Sequence, residues 1–155
     1  MMGHWDKFAA GIVFGALLAL AAAYSDKAKA ADDVWLSATI ASYHSNRNIE
    51  HNERNWGLGF EYGLSDNWRA VGGAYRNSYW RTSAYAGLLW LPVRVGPFRA
   101  GTTLAGATGY NGPVDLVVMP TIAWEGKQFG VNLGVMPAID RKIVNVIGLQ
   151  LKARF

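Results

Sequence analysis

The sequence predicts an all-β fold: an eight-stranded antiparallel transmembrane β-barrel of the outer-membrane type, preceded by a cleaved signal peptide. Three observations lead to this prediction. Beyond Ala31, apolar residues recur with a period of two nearly everywhere, which is the spacing of strands rather than of helices. Short and long connections alternate along the chain, as in an up-and-down barrel. Removing the first 30 of the 155 residues leaves 125, which accommodates eight strands of about ten residues with their connections.

The first 30 residues have the features of a secretory signal peptide. Phe8–Tyr24 is an almost uninterrupted apolar run, and Ala28-Lys29-Ala30 supplies small residues where a signal peptidase cleaves. The alternative is an uncleaved membrane anchor, because the run is slightly longer than a usual signal core, although shorter than the ~20 residues that span a bilayer comfortably. Cleavage after Ala30 leaves residues 31–155 as one domain. Its net charge is +3, because the removed segment carries one of the four net positive charges.

The strand pattern is clearest over Trp56–Gly63. One face carries the tryptophan, leucine, phenylalanine and tyrosine of this segment, whereas the other carries three glycines and Glu61. Large apolar groups opposite small or charged ones suit a strand with lipid outside and a crowded interior. The same alternation predicts seven further strands, at Val34–His44, Trp68–Tyr75, Ser83–Val93, Phe98–Thr108, Leu116–Trp124, Phe129–Pro137 and Ile143–Phe155.

The connections between these strands fall into two classes. A barrel entered from the periplasm has short turns at the periplasmic end and longer loops outside. The alternative is a soluble eight-stranded calyx, which needs a more polar outer face than these strands offer. Six tryptophans lie near predicted strand ends, where the aromatic girdles of membrane barrels belong: Trp35, Trp56, Trp68, Trp80, Trp90 and Trp124. The predicted tight turns are Ser65–Asn67, Arg94–Pro97 and Glu125–Gln128, and the longer connections are His44–Asn55, Arg76–Thr82, Gly109–Pro113 and Ala138–Lys142.

Composition narrows the chemistry. The chain has no cysteine, which excludes a disulfide scaffold, a cysteine-ligated metal site and a thiol nucleophile. Aromatic residues make up 13% and charged residues 17%, which argues against disorder. The balance is basic, yet no run of Lys or Arg occurs, so no nucleic-acid partner is expected.

Candidate reactive side chains cluster at one predicted rim. His44 ends the first strand and His51 follows in the first long loop, while Asn77-Ser78 ends the third strand at the same rim. A serine hydroxyl needs a base to become a nucleophile, and a neutral imidazole within hydrogen-bond distance serves that purpose. On spacing alone, this pattern is better explained by polar residues that decorate an external loop.

The segment His51-Asn52-Glu53-Arg54-Asn55-Trp56-Gly57-Leu58-Gly59-Phe60 resembles the Tyr-Asn-Glu-Arg-Pro-Trp-Gly-Gly-Gly-Phe signature of the outer-membrane lipid A palmitoyltransferase (PagP) family. The resemblance extends over nearly the whole of residues 31–155, with sparse identities between the matching segments. In the first half of the barrel, Tyr43-His44 aligns with the family's Trp-His, Tyr75-Arg76-Asn77-Ser78-Tyr79 with its Phe-Lys-Asp-Ser-Trp, and Ala86-Gly87 and Trp90 with its Ala-Gly and a following Trp. In the second half, Val117-Val118-Met119-Pro120 aligns with its Val-Leu-Leu-Pro, Met136-Pro137 with its Ile-Pro, and Lys152-Ala153-Arg154-Phe155 with its aromatic C-terminus.

The resemblance implies an enzyme that moves a fatty acyl chain from a glycerophospholipid to the lipid A of lipopolysaccharide in the bacterial outer membrane. It places His44 and Ser78 at the family's catalytic histidine and serine, with Asn77 as the residue that orients the site. The implied partners are a phospholipid acyl donor and the lipid A acceptor, bound by a monomer without a cofactor or metal. The acyl chain would occupy the barrel interior, where pocket depth measures chain length.

Departures from the family pattern fall on the same site. The family has aspartate where this chain has Asn77, which cannot stabilise an imidazolium by charge. Leu89 replaces the pocket-floor glycine and implies a shorter acyl chain. Two prolines that weaken strand pairing for lateral lipid entry are kept, Pro120 and Pro137, whereas Thr39 and Asn55 replace the other pair. There is also almost no room for the family's amphipathic N-terminal helix, because the first strand begins just past Asp33.

Two further residue sets have alternative interpretations. Arg54 either binds a substrate phosphate or pairs with Glu53 or Glu61. Glu61 points inward, and parity predicts an internal ion-pair network with Arg99 and Arg154.

The alternative for the whole chain is a non-catalytic small outer-membrane barrel that acts in surface integrity, adhesion or receptor masking. Such a barrel keeps the scaffold of the family, while its site residues are free to change.

Overall fold

Each of eight strands pairs antiparallel with its neighbour in sequence, and the last pairs with the first, which closes a barrel. The computed structural model describes residues 33–136 and 145–155, so the predicted signal peptide and Pro137 lie outside the described residues. No helix in the described residues is long and apolar enough to cross a membrane. The strands are β1 (Val34–His44), β2 (Gly57–Gly63), β3 (Trp68–Arg76), β4 (Thr82–Val95), β5 (Phe98–Ala107), β6 (Asp115–Glu125), β7 (Phe129–Met136) and β8 (Val146–Arg154).

The period-two pattern determines which side chains face out of the barrel. Trp56 and Leu58 are each 65% exposed, whereas Glu61 is 2% exposed, as the alternation predicts. The outer face of the other strands is likewise apolar, with Leu116, Ile122 and many similar side chains exposed. Trp35 is the exception among the predicted girdle tryptophans: it is fully buried inside the barrel, because it lies on the inward face of β1 with Ser37.

The two ends of the barrel differ as the connection lengths predict. Leu64–Asn67, Gly96–Pro97 and Gly126–Gln128 form short connections at one end, here called the turn end. The longer connections lie at the opposite end, here called the loop end. At the turn end β4 runs two residues beyond the predicted Val93, because Val95 pairs with Phe98 across a two-residue turn. Gly96 has φ +58° there, a conformation that favours glycine.

Two β-bulges change which face the strand ends present. In β1 the pairing with β8 shifts between Thr39 and Ala41. Trp35 and Ser37 face inward before the shift, whereas His44 faces inward after it and Tyr43 is 49% exposed. A slip of one residue exchanges the two faces of a strand, so simple alternation would have turned His44 outward with Leu36. A similar irregularity in β4 lies between Trp90 and Val93.

The lower interior, towards the turn end, holds buried charges. Glu61 accepts hydrogen bonds from Arg69 at 3.0 Å and from Lys152 at 2.9 Å. The expected ion-pair network is therefore present, but its predicted partners for Glu61 are wrong. Arg99 instead approaches Glu125 at 3.8 Å, and Arg154 approaches Asp33 at 3.6 Å. The alternation along a strand tells which face a side chain is on, but not its height along the barrel axis. The sequence therefore does not show which inward-facing cations lie level with Glu61.

Candidate active site

The loop end brings His44 and Ser78 into direct contact. His44 Nε2 lies 2.8 Å from Ser78 Oγ, and the imidazole residue is 3% exposed. His44 is the last residue of β1, and Ser78 lies two residues beyond the end of β3. A hydroxyl at this distance can give its proton to a neutral imidazole nitrogen, which is the geometry of an activated nucleophile. The sequence prediction that these two residues meet is therefore correct in position.

Glu53 holds the end of β1 in this arrangement. Its carbonyl accepts the Ser42 N–H at 2.9 Å, and its carboxylate Oε1 accepts the His44 N–H at 2.9 Å. The loop after β1 thus folds back along the end of that strand. Glu53 accepts hydrogen bonds from the part of β1 that extends past its last pair with β2, Thr39 with Gly57. The bulge turns the His44 side chain inward, and Glu53 fixes the backbone that carries it.

The same carboxylate supplies negative charge beside the imidazole. Glu53 Oε1 lies 3.7 Å from His44 Nδ1 and 2.9 Å from Arg47 Nη1. The hydrogen bond from the His44 N–H, with that from Arg47, lowers the pKa of Glu53, so the side chain is ionised at neutral pH. Sequence reasoning considered Glu53 only as a partner of Arg54. Its place in the Asn52-Glu53-Arg54 segment was the signal that could have identified it.

His51 packs against the face of the His44 ring. The ring centroids lie 4.3 Å apart, and the planes differ by 11°. Tyr79 contacts the other side of His51 at a centroid distance of 6.4 Å. Rings stacked in this way restrict rotation of the imidazole about its side-chain bonds and keep Nε2 directed at Ser78.

Asn77, the predicted orienting residue, makes its side-chain hydrogen bonds in and beside the loop that carries Ser78. It is fully buried, and its amide nitrogen donates to Ser83 Oγ at 2.9 Å and to the Gly109 carbonyl at 2.8 Å. Its amide oxygen accepts the N–H groups of Tyr79 at 2.9 Å and Arg81 at 3.0 Å. None of these four bonds reaches the imidazole, because they hold the amide between its own loop, the start of β4 and the connection after β5. Asn77 fixes the turn that presents Ser78.

A cavity of about 160 Å³ runs into the barrel from Ser78. Its lining is mainly apolar, and Leu89 closes its lower part together with Val71. Leu89 is 2% exposed and packs with Leu91 and Ala123, so the predicted floor residue is part of the cavity lining. At the upper end the hydroxyls of Tyr75 and Tyr110 are 2.6 Å apart. Burial raises the pKa of Tyr110, which therefore stays neutral.

The strand seams differ around the barrel. Pairing of β6 with β7 begins at Thr121 opposite Gly134, and Pro120 lies immediately beyond it, towards the loop end. Proline lacks the N–H that a ladder needs, so the strands are not joined there within the described residues. In contrast, Thr39 pairs with Gly57, and the Asn55 amide donates to the carbonyls of Asn52 and Arg76. The seam at the retained proline is open, whereas the seam at the replaced pair is bonded.

Arg54 remains exposed beside the site. Its backbone N–H donates to Asn52 Oδ1 at 3.1 Å, and its side chain makes no ion pair among the described residues. The two carboxylates once considered for it are engaged elsewhere, Glu53 with Arg47 and Glu61 with Arg69 and Lys152. The guanidinium is thus accessible at the rim next to β2.

Comparison with models of known protein families finds no match to this chain, and no curated protein matches it.

Proposed function

We propose that this chain is a divergent outer-membrane acyltransferase of the lipid A palmitoyltransferase type, which moves a fatty acyl chain from a glycerophospholipid to lipid A. The observation that carries the proposal is the 2.8 Å contact between His44 Nε2 and Ser78 Oγ at the mouth of an apolar cavity. A hydroxyl paired with a base and set above an apolar cavity suits an ester whose acyl tail enters that cavity.

The outer face of the barrel supports a location in the outer membrane. Large apolar side chains are exposed on every strand, and a soluble protein rarely exposes a continuous apolar surface of this extent. Charged side chains away from the strand ends face inward instead, as with Glu61 and Lys152. In this proposal residues 1–30 are the signal peptide that directs export, and the loop end faces the exterior.

The proposed reaction begins at Ser78. His44 Nε2 takes the hydroxyl proton as Ser78 Oγ attacks the ester carbonyl carbon of the phospholipid. The acyl–oxygen bond then breaks, and the lysophospholipid oxygen receives the proton from the imidazolium. In the second half, His44 takes a proton from a lipid A hydroxyl, whose oxygen attacks the carbonyl carbon of the acyl–serine ester. The bond between Ser78 Oγ and the acyl carbon then breaks, and Oγ receives the proton from the imidazolium, which regenerates Ser78 and neutral His44. The ionised Glu53 beside Nδ1 stabilises the imidazolium in both halves.

The route of lipid access to this site is the β6–β7 seam. Pairing ends at Thr121, and Pro120 provides no donor above it, so a phospholipid in the outer leaflet can reach the cavity laterally. Arg54, exposed at the rim, is the candidate for binding a substrate phosphate.

The test is mass spectrometry of lipid A from cells that express the protein. We expect an added acyl chain, lost with His44→Ala and with Ser78→Ala, since removal of a general base costs about 10²–10⁴ in rate. Ser65→Ala is the matched control, because Ser65 lies in a turn at the opposite end of the barrel. Each variant must run as a heat-modifiable folded barrel.

The second candidate is a non-catalytic small outer-membrane barrel that serves in surface integrity, adhesion or receptor masking. Leu89 favours it, since this side chain fills the lower part of the cavity. It predicts unchanged lipid A from cells in which the protein is folded and inserted.

A further inference from the structure

At the turn end, opposite the candidate active site, four cationic side chains line one recess. Arg94 is the last residue but one of β4, and Arg99 is the second residue of β5. Lys127 lies in the β6–β7 turn, and Arg154 ends β8. The recess has a volume of about 370 Å³, and among the described residues that line it Glu125 is the only carboxylate. This volume is ample for a tetrahedral oxyanion with part of its substituent.

The acidic groups around the recess do not cancel this charge. Glu125 accepts hydrogen bonds from Arg69 and from Lys152, the latter at 2.7 Å, and approaches Arg99 only at 3.8 Å. Asp33 Oδ2 accepts a hydrogen bond from Arg69 Nε at 2.7 Å, and Arg154 Nη2 lies 3.6 Å from Asp33 Oδ1. Asp66 lies at the edge of the adjoining recess. Asp33 is therefore bonded more closely to Arg69, and Glu125 to Arg69 and Lys152, than either is to the cations of the recess.

Register places two of the cations side by side. Arg94 is the cross-strand partner of Arg99, and both lie on the inward face. Like charges directly opposite on one face of a sheet repel each other and destabilise the pair. An anion between them would relieve this repulsion.

Arg99 also carries an unsatisfied donor. It is 5% exposed, and its Nη2 donates to the carbonyls of Asp66 and Leu91. Its buried Nε has no hydrogen-bond acceptor among the described residues. A buried donor without an acceptor is unfavourable, and a guanidinium matches the oxygens of a phosphate in geometry and charge.

We infer that this recess binds a phosphate group, with Arg94, Arg99, Lys127 and Arg154 as its ligands. The inference does not depend on the proposed acyltransferase activity, since it rests on the opposite end of the barrel. Two sources offer the same chemistry at this end: free inorganic phosphate, and the phosphodiester headgroup of a phospholipid.

The test is calorimetric titration of the folded barrel in a maltoside detergent, which contains no phosphate, at low salt. One arm uses inorganic phosphate and the other uses glycerophosphoglycerol, the soluble headgroup of phosphatidylglycerol. We expect saturable binding in at least one arm with a Kd of about 1 mM or below. The tighter arm identifies the source.

The decisive variant is R94Q/K127Q, because both side chains are exposed and their replacement leaves the buried network intact. We expect its Kd to rise about tenfold or more. The matched control is R76Q/R81Q, which removes the same charge at the loop end and is expected to change the Kd less than about twofold. Absence of saturable binding in both arms, or an equal loss in the control, would overturn the inference.

Discussion

Shortening Leu89 is expected to lengthen the acyl chain that the proposed enzyme transfers. From Ser83, level with the Asn77 side chain at the rim, six residues of β4 lead down to Leu89. At about 3.3 Å per residue and a tilt of about 40°, this is about 15 Å along the barrel axis. An extended acyl chain advances roughly 1.25 Å per carbon, given C–C bonds of ~1.5 Å at tetrahedral angles. The present pocket therefore suits an acyl chain of about 12 carbons.

The substitution Leu89→Gly moves the floor down to the next inward residue of β4, Leu91. Two residues correspond to about 5 Å along the axis, or about four carbons, which brings the pocket to palmitoyl length. Leu89→Ala is the intermediate control, with a smaller gain. Both variants lose packing against Val71 and Ala123, at a cost of about 2–5 kcal/mol in the free energy of unfolding.

The assay is transfer from phosphatidylcholines of defined chain length to lipid A in detergent, with product masses read by mass spectrometry. Wild type should peak near 12 carbons, and Leu89→Gly about four carbons higher. Comparison of rates within each variant removes the effect of its lower stability. An unchanged length preference in a folded Leu89→Gly variant would refute the view that this cavity holds the acyl chain.

Three further predictions concern the side chains around the site and the buried charges. Glu53→Gln should lower kcat about tenfold with little change in KM. It removes the negative charge of the carboxylate beside His44 Nδ1, but keeps an oxygen that accepts the His44 N–H, so an unaltered kcat would contradict the role of that charge. Asn77→Ala should lower both the melting temperature of the protein and the rate of acyl transfer through Ser78, because the four hydrogen bonds of the Asn77 side chain that shape the turn disappear. Asn77→Asp should restore part of the melting temperature and part of the transfer rate in the same assays. Lys152→Met should cost about 3–5 kcal/mol in the free energy of unfolding from urea titration, since it leaves Arg69, among the described residues, as the one cation hydrogen-bonded to the buried carboxylates of Glu61 and Glu125; exposed Lys127→Met should cost less than about 0.5 kcal/mol.

The strands were predictable because lipid-type and interior-type residues alternate over their whole length. Large apolar groups from Trp56 onward faced outward in β2 as expected, and the tight turn near Gly96 followed from its residue types. The site was less predictable. The resemblance gives Asn77 the orienting role because Asn77 stands where the family has aspartate, whereas in the structure its amide bonds in and beside its own loop and Glu53 lies beside the imidazole. Loop paths depend on tertiary hydrogen bonds that a local pattern does not encode.

The two β-bulges explain the largest difference between what alternation predicts and what the barrel does. In β1 the shift after Thr39 turns His44 from the outer face to the interior, where it meets Ser78. In β4 the shift after Trp90 exposes Val93 and places Arg94 on the same face as Arg99. Each bulge therefore moves a polar residue near the strand end off the apolar outer face, where it would be costly in lipid, and into a recess. The same change of face that keeps the outer belt apolar also assembles the proposed acyl site at one end and the proposed phosphate site at the other.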